Sequence, residues 1–140
     1  MRSAMDLALD AIKVHEGLRL KPYTCSAGKL TIGYGRNLED NGLTPEEAEI
    51  LLRHDLSQAE LDAVSFVGIR TWYTLSVRRK AVLINMSFNL GLTTLSQFTR
   101  FKSCLREGQW HRAADEMLDS KWASQVGSRA TELAEEMKRG

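Results

Sequence analysis

The hydrophobic positions at the start of the chain recur every three to four residues, which is the spacing of one face of an α-helix. The positions that carry this pattern are Met5, Leu7, Ala8, Ala11, Ile12 and Val14. Gly17 predicts the end of this helix, because glycine is the residue that most often stands just past a helix C-terminus. The pattern therefore places Glu16 at the C-terminal end of a helix.

Short runs of β-branched and aromatic residues follow this helix, and glycine or proline separates them. The runs contain Tyr23, Leu30, Thr31, Ile32 and Tyr34, and the separating residues are Pro22, Gly28, Gly33 and Gly35. Such short runs between turn-forming residues are typical of hairpin strands. We expect a small β-sheet here.

A helical pattern dominates the chain after Thr44. Thr44 offers a hydroxyl to cap a helix, Pro45 suits the first helical position, and Glu46 and Glu47 provide a capping-box carboxylate. No proline occurs later, and the breaks between helices are expected at Gly68, Gly91, Gly108 and Gly127. The predicted fold class is α+β, with a small sheet near the N-terminus and a larger helical part.

The composition excludes several classes of protein. Hydrophobic residues make up 43% of the 140 residues and charged residues 26%, as in ordinary globular proteins. A net charge of +1, without a DNA- or RNA-binding motif, predicts no nucleic-acid partner. The two cysteines are too few for a disulfide framework, and the three histidines are scattered, so we expect no metal and no cofactor. The N-terminal stretch lacks the apolar run of a signal peptide, so we also expect no export signal.

The stretch from residue 15 to residue 37 is the strongest candidate for chemistry. Glycoside hydrolysis needs a proton donor for the leaving oxygen and a second group that activates water or attacks the anomeric carbon. Glu16 suits the first role if it faces the hairpin, partly desolvated, and so stays protonated. From the residues alone, a solvated glutamate that ends a helix is the favoured interpretation, because exposed carboxylates are the common case.

The segment HEGLRLKPYTCSAGKLTIGYGRNL resembles the catalytic segment of phage lysozymes of the T-even type. The family's pattern is Glu-Gly, a tyrosine, an acidic residue nine positions after the glutamate, and Thr-Ile-Gly-x-Gly, and this chain matches it except at the acidic residue, where Cys25 stands. Four later segments resemble further motifs of that family in the same order, namely SVRRKAVLINMSFNLG, FTRFKSCLREGQW, HRAADEM and SKWASQVGSRA. The resemblance extends from Met5 to Ala130. Several separately spaced motifs in the right order are far more specific than one alone.

The resemblance implies a lysozyme-like fold formed by a single domain of residues 1–140. It implies a sheet-containing lobe at about residues 15–65, a helical lobe of residues 1–14 and 66–140, and an active-site cleft between the lobes. It assigns the proton donor to Glu16 and the threonine that helps hold the attacking water to Thr31. Phe88 matches an aromatic of the family's substrate cleft, although an aromatic on an apolar helix face is more often core.

The family's second catalytic carboxylate falls on Cys25, and three interpretations are open. The thiolate of Cys25 acts as a base or orients water, it attacks as a nucleophile, or the chain has lost catalysis and only binds peptidoglycan. A free thiol is mostly neutral at pH 7, so the first two interpretations need neighbours that favour the thiolate. The side chains that could supply positive charge are His15, Arg19, Lys21 and Lys29.

The resemblance also implies two ion pairs. Arg129 falls where the family has an arginine that reaches the catalytic glutamate, and Arg36 and Asp55 fall where the family pairs a histidine with an aspartate. We therefore expect Arg129 to pair with Glu16 and to be a substrate-binding residue, although a solvated arginine is the alternative. Trp110 and Trp122 match core tryptophans.

The implied function is that of an endolysin, which cleaves the β-1,4 bond between N-acetylmuramic acid and N-acetylglucosamine in the glycan strand of bacterial peptidoglycan. The expected partners follow from the family. The enzyme would be a monomer without stable membrane association, held in the host cytoplasm until a separate holin-like pore admits it to the wall. The rival hypothesis is a catalytically inactive peptidoglycan-binding protein.

Overall fold

The computed structural model describes the whole chain, Met1–Gly140. It divides into two compact units, Met1–Ile50 and Leu51–Gly140. All three strands belong to the first unit, whereas the second unit contains only helices. The α+β prediction is therefore confirmed. The lobe boundaries expected near residues 15 and 65, and the single-domain organisation, remain predictions.

The first unit begins with helix α1, Ala4–Glu16. Its N-terminus is closed by a capping box, in which the amide of Asp6 donates to Oγ of Ser3 at 3.1 Å and the amide of Ser3 donates to the carboxylate of Asp6 at 3.1 Å. Gly17 ends the helix at a φ of 71°, a value that favours glycine. Its amide donates to the carbonyl of Lys13. Both the helix and its end at Gly17 are as predicted.

A three-stranded antiparallel sheet follows, and helix α2, Leu38–Asn41, comes directly after it. The strands are β1, Arg19–Thr24, β2, Leu30–Gly33, and β3, Arg36–Asn37, with β2 in the centre. Thr31 pairs with Tyr23 on one side and with Asn37 on the other. Thr31 is only 3% exposed, so the middle of the sheet holds this hydroxyl in a fixed position.

Helix α3, Pro45–Val67, begins at the residue that the capping pattern predicts. The amide of Glu47 donates to Oγ1 of Thr44 at 3.2 Å, and the amide of Thr44 donates to Oε1 of Glu47 at 2.8 Å. This reciprocal pair is a capping box. The boundary at Ile50 lies inside this helix.

The second unit continues with seven further helices. They are α4, Ile69–Thr74; α5, Val77–Leu90; α6, Leu92–Leu95; α7, Thr99–Arg106; α8, Trp110–Leu118; α9, Lys121–Val126; and α10, Ser128–Arg139. The four glycines expected at helix breaks, Gly68, Gly91, Gly108 and Gly127, all lie between consecutive helices. None of the helices combines the length and the apolar character that crossing a bilayer requires.

The core of the second unit is a continuous apolar cluster. Its largest fully buried side chains are Val67, Leu83, Met86, Leu95, Phe101, Leu105, Met117 and Met137. Helix α8 packs on α7 and α10, and alanines Ala113, Ala114, Ala130 and Ala134 are buried at 0 or 1% exposure. Small side chains allow helices to approach closely, so these alanines suit the packing of α8 against α10. Trp122 is also buried, as the resemblance implies.

Arg79 of α5 fastens the C-terminal end of α10. Its Nε donates to the carbonyl of Met137 at 2.8 Å, and its NH2 group donates to the carbonyl of Lys138 at 3.0 Å. The guanidinium also lies 4.0 Å from the ring centroid of Trp110, a cation–π distance. The last carbonyls of a helix lack partners within the helix, so this arginine satisfies two of them.

Candidate active site

Glu16 is the last residue of α1, and its exposed carboxyl lies against the turn between β2 and β3. A Cβ atom added to Gly35 in that turn would lie 2.8 Å from Oε2 and 3.0 Å from Cδ of Glu16. Such distances are shorter than van der Waals contact allows. The absence of a side chain at Gly35 therefore gives the Glu16 carboxyl its place against the backbone.

Cys25 opens a tight turn between β1 and β2. Its amide donates to the carbonyl of Lys29 at 2.9 Å, and its carbonyl accepts the amide of Gly28 at 2.9 Å. Gly28 has a φ of 79°, which the turn requires and which glycine adopts without strain. These two bonds hold the half-buried Cys25 next to the ends of both strands.

Hydrogen-bond donors around the sulfur favour its ionised form. The backbone of Lys29, the side chain of Thr31 and the backbone of Ala27, in that order of importance, lower the pKa of the Cys25 thiol below its ordinary value. Each donates to the thiolate and so stabilises the negative charge. Cys25 and Thr31, which the sequence assigns to one site, are thus brought together by the turn.

The hydroxyl of Thr31 has one proton and two neighbouring acceptors. Oγ1 donates to the carbonyl of Lys29 at 2.8 Å, while the thiolate of Cys25 competes for the same proton. The bond that the structure gives this hydroxyl is the one to the Lys29 carbonyl.

Cations do not account for the lowered thiol pKa. The Lys29 ammonium lies 3.6 Å from the carboxylate of Glu39 and 3.3 Å from that of Asp40, so it is paired with acids of the short helix α2. The Arg19 guanidinium lies 4.6 Å from the ring centroid of Tyr23. The neighbours that favour the thiolate are hydrogen-bond donors of the turn itself, rather than the positively charged side chains considered from the sequence.

Arg36 ties the sheet to the start of α3 through Glu47. Its NH1 donates to Oε1 of Glu47 at 2.9 Å and to the carbonyl of Gly42 at 3.0 Å, and its NH2 forms a second, closer contact with Glu47. Arg36 and, less strongly, the Thr44 amide lower the pKa of Glu47 to about 2. The resemblance implies Asp55 as the partner, whereas the acid that the structure gives to Arg36 is Glu47.

Phe88 lies on α5 in the second unit and is 45% exposed, so it is not a core residue. It lines a pocket of about 390 Å³ together with Asp55, Gln58, Asp62 and Ser87. The hydroxyl of Ser87 is buried there without a hydrogen-bond partner. An exposed aromatic ring beside carboxylates is compatible with sugar contact, and the assignment of Phe88 to substrate binding stays a prediction.

Arg129 is held by an amide of its own unit. Its Nε and NH2 groups donate to Oδ1 of Asn85 at 3.0 and 2.6 Å. Asn85 lies on α5 and Arg129 on α10, so the contact joins two packed helices. The pairing of Arg129 with Glu16, and the assignment of Arg129 to substrate binding, stay predictions.

The first unit thus holds Glu16, Cys25 and Thr31 of the expected site, and the second unit holds Phe88 and Arg129. The contact between Gly35 and Glu16 was not predicted from the sequence. The signal that could have indicated the positive φ of Gly35 is its place among the glycines of the hairpin. No group of three or more His, Cys, Asp or Glu side chains is arranged to hold a metal ion.

Comparison with known proteins gives consistent matches. The family model described as phage lysozyme matches residues 13–139. An endolysin of Acyrthosiphon pisum secondary endosymbiont phage 1 is 33% identical over 133 residues, which cover 91% of this chain and 86% of that protein. The probable T4-type lysozyme 1 of Dictyostelium discoideum is 29% identical over 151 residues, with 89% of each chain covered. The pre-baseplate central spike protein Gp5 of Enterobacteria phage T4 is 27% identical over 150 residues, which are only 26% of its own length.

Proposed function

Because the chain belongs to the phage lysozyme family, we propose that it hydrolyses the β-1,4 bond between N-acetylmuramic acid and N-acetylglucosamine. The family establishes the coarser statement that the chain is a glycoside hydrolase of the lysozyme type that acts on peptidoglycan. The glycosidic bond that is cleaved, the residues that act on it and the order of the chemical steps are what we propose.

The observation that carries the proposal is the arrangement of the first unit. The carboxyl of Glu16 lies against the turn that joins β2 to β3, and Cys25 and Thr31 meet at the opposite end of β2. The short strand β2 therefore separates Glu16, the proposed proton donor, from Cys25, whose neighbours favour the ionised form of the thiol. Two groups of opposite function on either side of a bond are what glycoside hydrolysis requires.

In the proposed step, Glu16 gives its proton to the glycosidic oxygen while a water oxygen attacks the anomeric carbon from the other face. The bond from that carbon to the leaving oxygen breaks. The thiolate of Cys25 takes a proton from the water, and Thr31 helps to hold the water in place. The product has an inverted anomeric configuration.

The alternative role of Cys25 is that of a nucleophile. The sulfur would then bond to the anomeric carbon while the bond to the leaving oxygen breaks and Glu16 protonates that oxygen. A water that gives a proton to Glu16 would next displace the sulfur as thiolate, and the sugar would be released with retained configuration. The lowered pKa of Cys25 supports either role, because both need the thiolate. The two roles differ in the anomer released.

The setting of the enzyme is part of the proposal. As an endolysin, the chain would act as a monomer, without stable membrane association. It would wait in the host cytoplasm until a separate holin-like pore gives it access to the wall. The endolysin relative supports action on the cell wall.

The test measures release of reducing ends from purified bacterial cell walls. We compare wild type with Glu16→Gln, and Glu46→Gln serves as the matched control because Glu46 is an exposed carboxylate outside the site. Loss of one catalytic proton donor costs about 10²–10⁴-fold in rate, so Glu16→Gln should be near background and Glu46→Gln should equal wild type. Full activity of Glu16→Gln would refute the proposed role of Glu16.

A second experiment separates the interpretations of Cys25. The anomer released by wild type is read by NMR within seconds of cleavage, and Cys25→Ala and Cys25→Asp are assayed beside it. Inversion, with activity lost in Cys25→Ala and kept in Cys25→Asp, supports the base. Retention supports the nucleophile. Walls that bind wild type without releasing reducing ends would show that the chain only binds peptidoglycan.

A further inference from the structure

Two consecutive residues of the turn between β2 and β3 touch one face of α1. Tyr34 meets Lys13 and Gly35 meets Glu16. Lys13 and Glu16 are three positions apart on a helix and therefore neighbours on its surface. The loop between β2 and β3 thus contacts the C-terminal end of α1 at two residues. All four residues belong to the first unit.

The contact between Gly35 and Glu16 requires that residue 35 has no side chain. A Cβ atom there would lie 2.8 Å from Oε2, 3.0 Å from Cδ and 3.3 Å from Cγ of Glu16. Three atoms of one side chain would have to move together to admit a single methyl group. A side chain at Gly35 would therefore displace the Glu16 side chain from the orientation that it has in the structure.

The contact at Tyr34 adds a second attachment on the same face of α1. The ammonium of Lys13 lies 5.8 Å from the centroid of the Tyr34 ring, which is within the range of a cation–π contact. The end of a helix tends to fray, and Glu16 is the last helical residue. The contact of Tyr34 with Lys13, which lies one helical turn before Glu16, keeps the end of α1 next to the sheet.

We propose that Tyr34 and Gly35 are positioning residues that aim the Glu16 carboxyl at the glycosidic oxygen. The inference rests on the proposed role of Glu16 as proton donor. Neither residue takes part in the chemistry. The lack of a side chain at Gly35 leaves room for the carboxyl in this orientation, and the orientation of catalytic groups is where much of an enzyme's rate originates.

The decisive comparison is Gly35→Ala against Gly33→Ala. The two glycines have φ values of 80° and 70°, so alanine strains the backbone similarly at both, but a Cβ at Gly33 would meet no atom within 4 Å. Gly35→Ala should lower kcat for reducing-end release by about 100-fold with KM nearly unchanged, since a displacement of about 1 Å can cost that much. Gly33→Ala should stay within about threefold of wild type once both variants are shown by circular dichroism to be folded.

Tyr34 provides a second, independent test. Tyr34→Leu removes the ring beneath Lys13, whereas Tyr34→Phe keeps it. We expect kcat to fall by about fivefold in Tyr34→Leu and to be restored in Tyr34→Phe, again with little change in KM. Equal kcat in Tyr34→Leu and Tyr34→Phe would remove Tyr34 from the proposal.

An NMR measurement detects the contact between Glu16 and Gly35 independently of enzymatic activity. Wild type should show a nuclear Overhauser effect between the Glu16 Hγ and Gly35 Hα protons, which Gly33→Ala keeps and Gly35→Ala loses. If wild type is active and the two alanine variants have equal kcat, the positioning inference fails while the role of Glu16 stands. If wild type releases no reducing ends, the proposed function fails, and the positioning role fails with it even where the contact is observed.

Discussion

Arg79 offers the sharpest prediction about stability, because one side chain makes three contacts that can be removed together. The guanidinium donates to the carbonyls of Met137 and Lys138 and covers the ring of Trp110. Burial lowers the pKa of Arg79, which reflects a charge partly withdrawn from water. Arg79→Ala would leave two carbonyls at the end of α10 without these donors.

The size of the effect follows from these contacts. A hydrogen bond to a charged group contributes about 1.5–3 kcal/mol and a cation–π contact about 1 kcal/mol. Since water can replace part of both hydrogen bonds at this half-buried position, we expect Arg79→Ala to lower the free energy of unfolding by about 3 kcal/mol. For a chain of this length, that corresponds to a fall in Tm of about 9 °C.

Thermal and urea unfolding of Arg79→Ala, Arg79→Lys and Arg78→Ala test this reasoning. Arg78 is the matched control, since it is the neighbouring arginine of α5 and forms an ion pair of 2.9 Å with Glu136 at an exposed position. Its loss should cost less than about 1 kcal/mol. Arg79→Lys should fall between the two, because lysine keeps the charge without the planar fork. A Tm for Arg79→Ala no lower than that for Arg78→Ala would refute the reasoning.

Three further predictions concern single side chains. The pKa of Glu47 is about 2 in the folded chain and about 4.3 when unfolded, so its carboxylate stabilises the fold above pH 4.3 and this contribution is lost as the pH falls towards 2. The free energy of unfolding in urea should therefore fall less between pH 5 and pH 2 for Glu47→Gln than for wild type. An equal fall in the two proteins would contradict this prediction. Thr31→Val should raise the pKa of the Cys25 thiol, seen as a shift of its alkylation by iodoacetamide to higher pH. Cys104, whose pKa burial raises, is the internal control in the same mass spectra and should not shift. Ser87→Ala should raise the free energy of unfolding by about 1 kcal/mol, because it removes a buried hydroxyl without a partner, and a loss of stability would reveal a bond that the hydroxyl makes.

Local patterns predicted the elements of the fold well. The Thr44 to Glu47 spacing places the start of α3 at Pro45, and the structure has the capping box that explains it. Gly17 ends α1 and four later glycines separate helices for the same local reason, namely that glycine adopts positive φ without cost. Signals of this kind act over a few residues, so a sequence displays them directly.

Contacts between distant residues could not be predicted in the same way. The hydrogen bond from Arg79 to Met137 joins residues 58 positions apart, and that from Arg129 to Asn85 joins residues 44 apart. The partner of an arginine depends on which acceptor the packing brings near, as the choice of Glu47 by Arg36 illustrates. The family resemblance assigns Glu16, Cys25 and Thr31 to the predicted site, but it carries no information on what favours the thiolate of Cys25.

The separation of partners along the chain also sets an order for folding during synthesis. Partners in the first unit are near in sequence, since Arg36 and Glu47 are 11 positions apart. The second unit closes only when Met137 and Lys138 reach Arg79, which are 58 and 59 positions away. Short-range contacts form early and long-range contacts late, so the sheet can form on the ribosome while the helical core still waits for its last helix. The turn between β2 and β3 can therefore form before synthesis is complete, whereas the hydrogen bonds from Arg79 to α10 need the last residues of the chain.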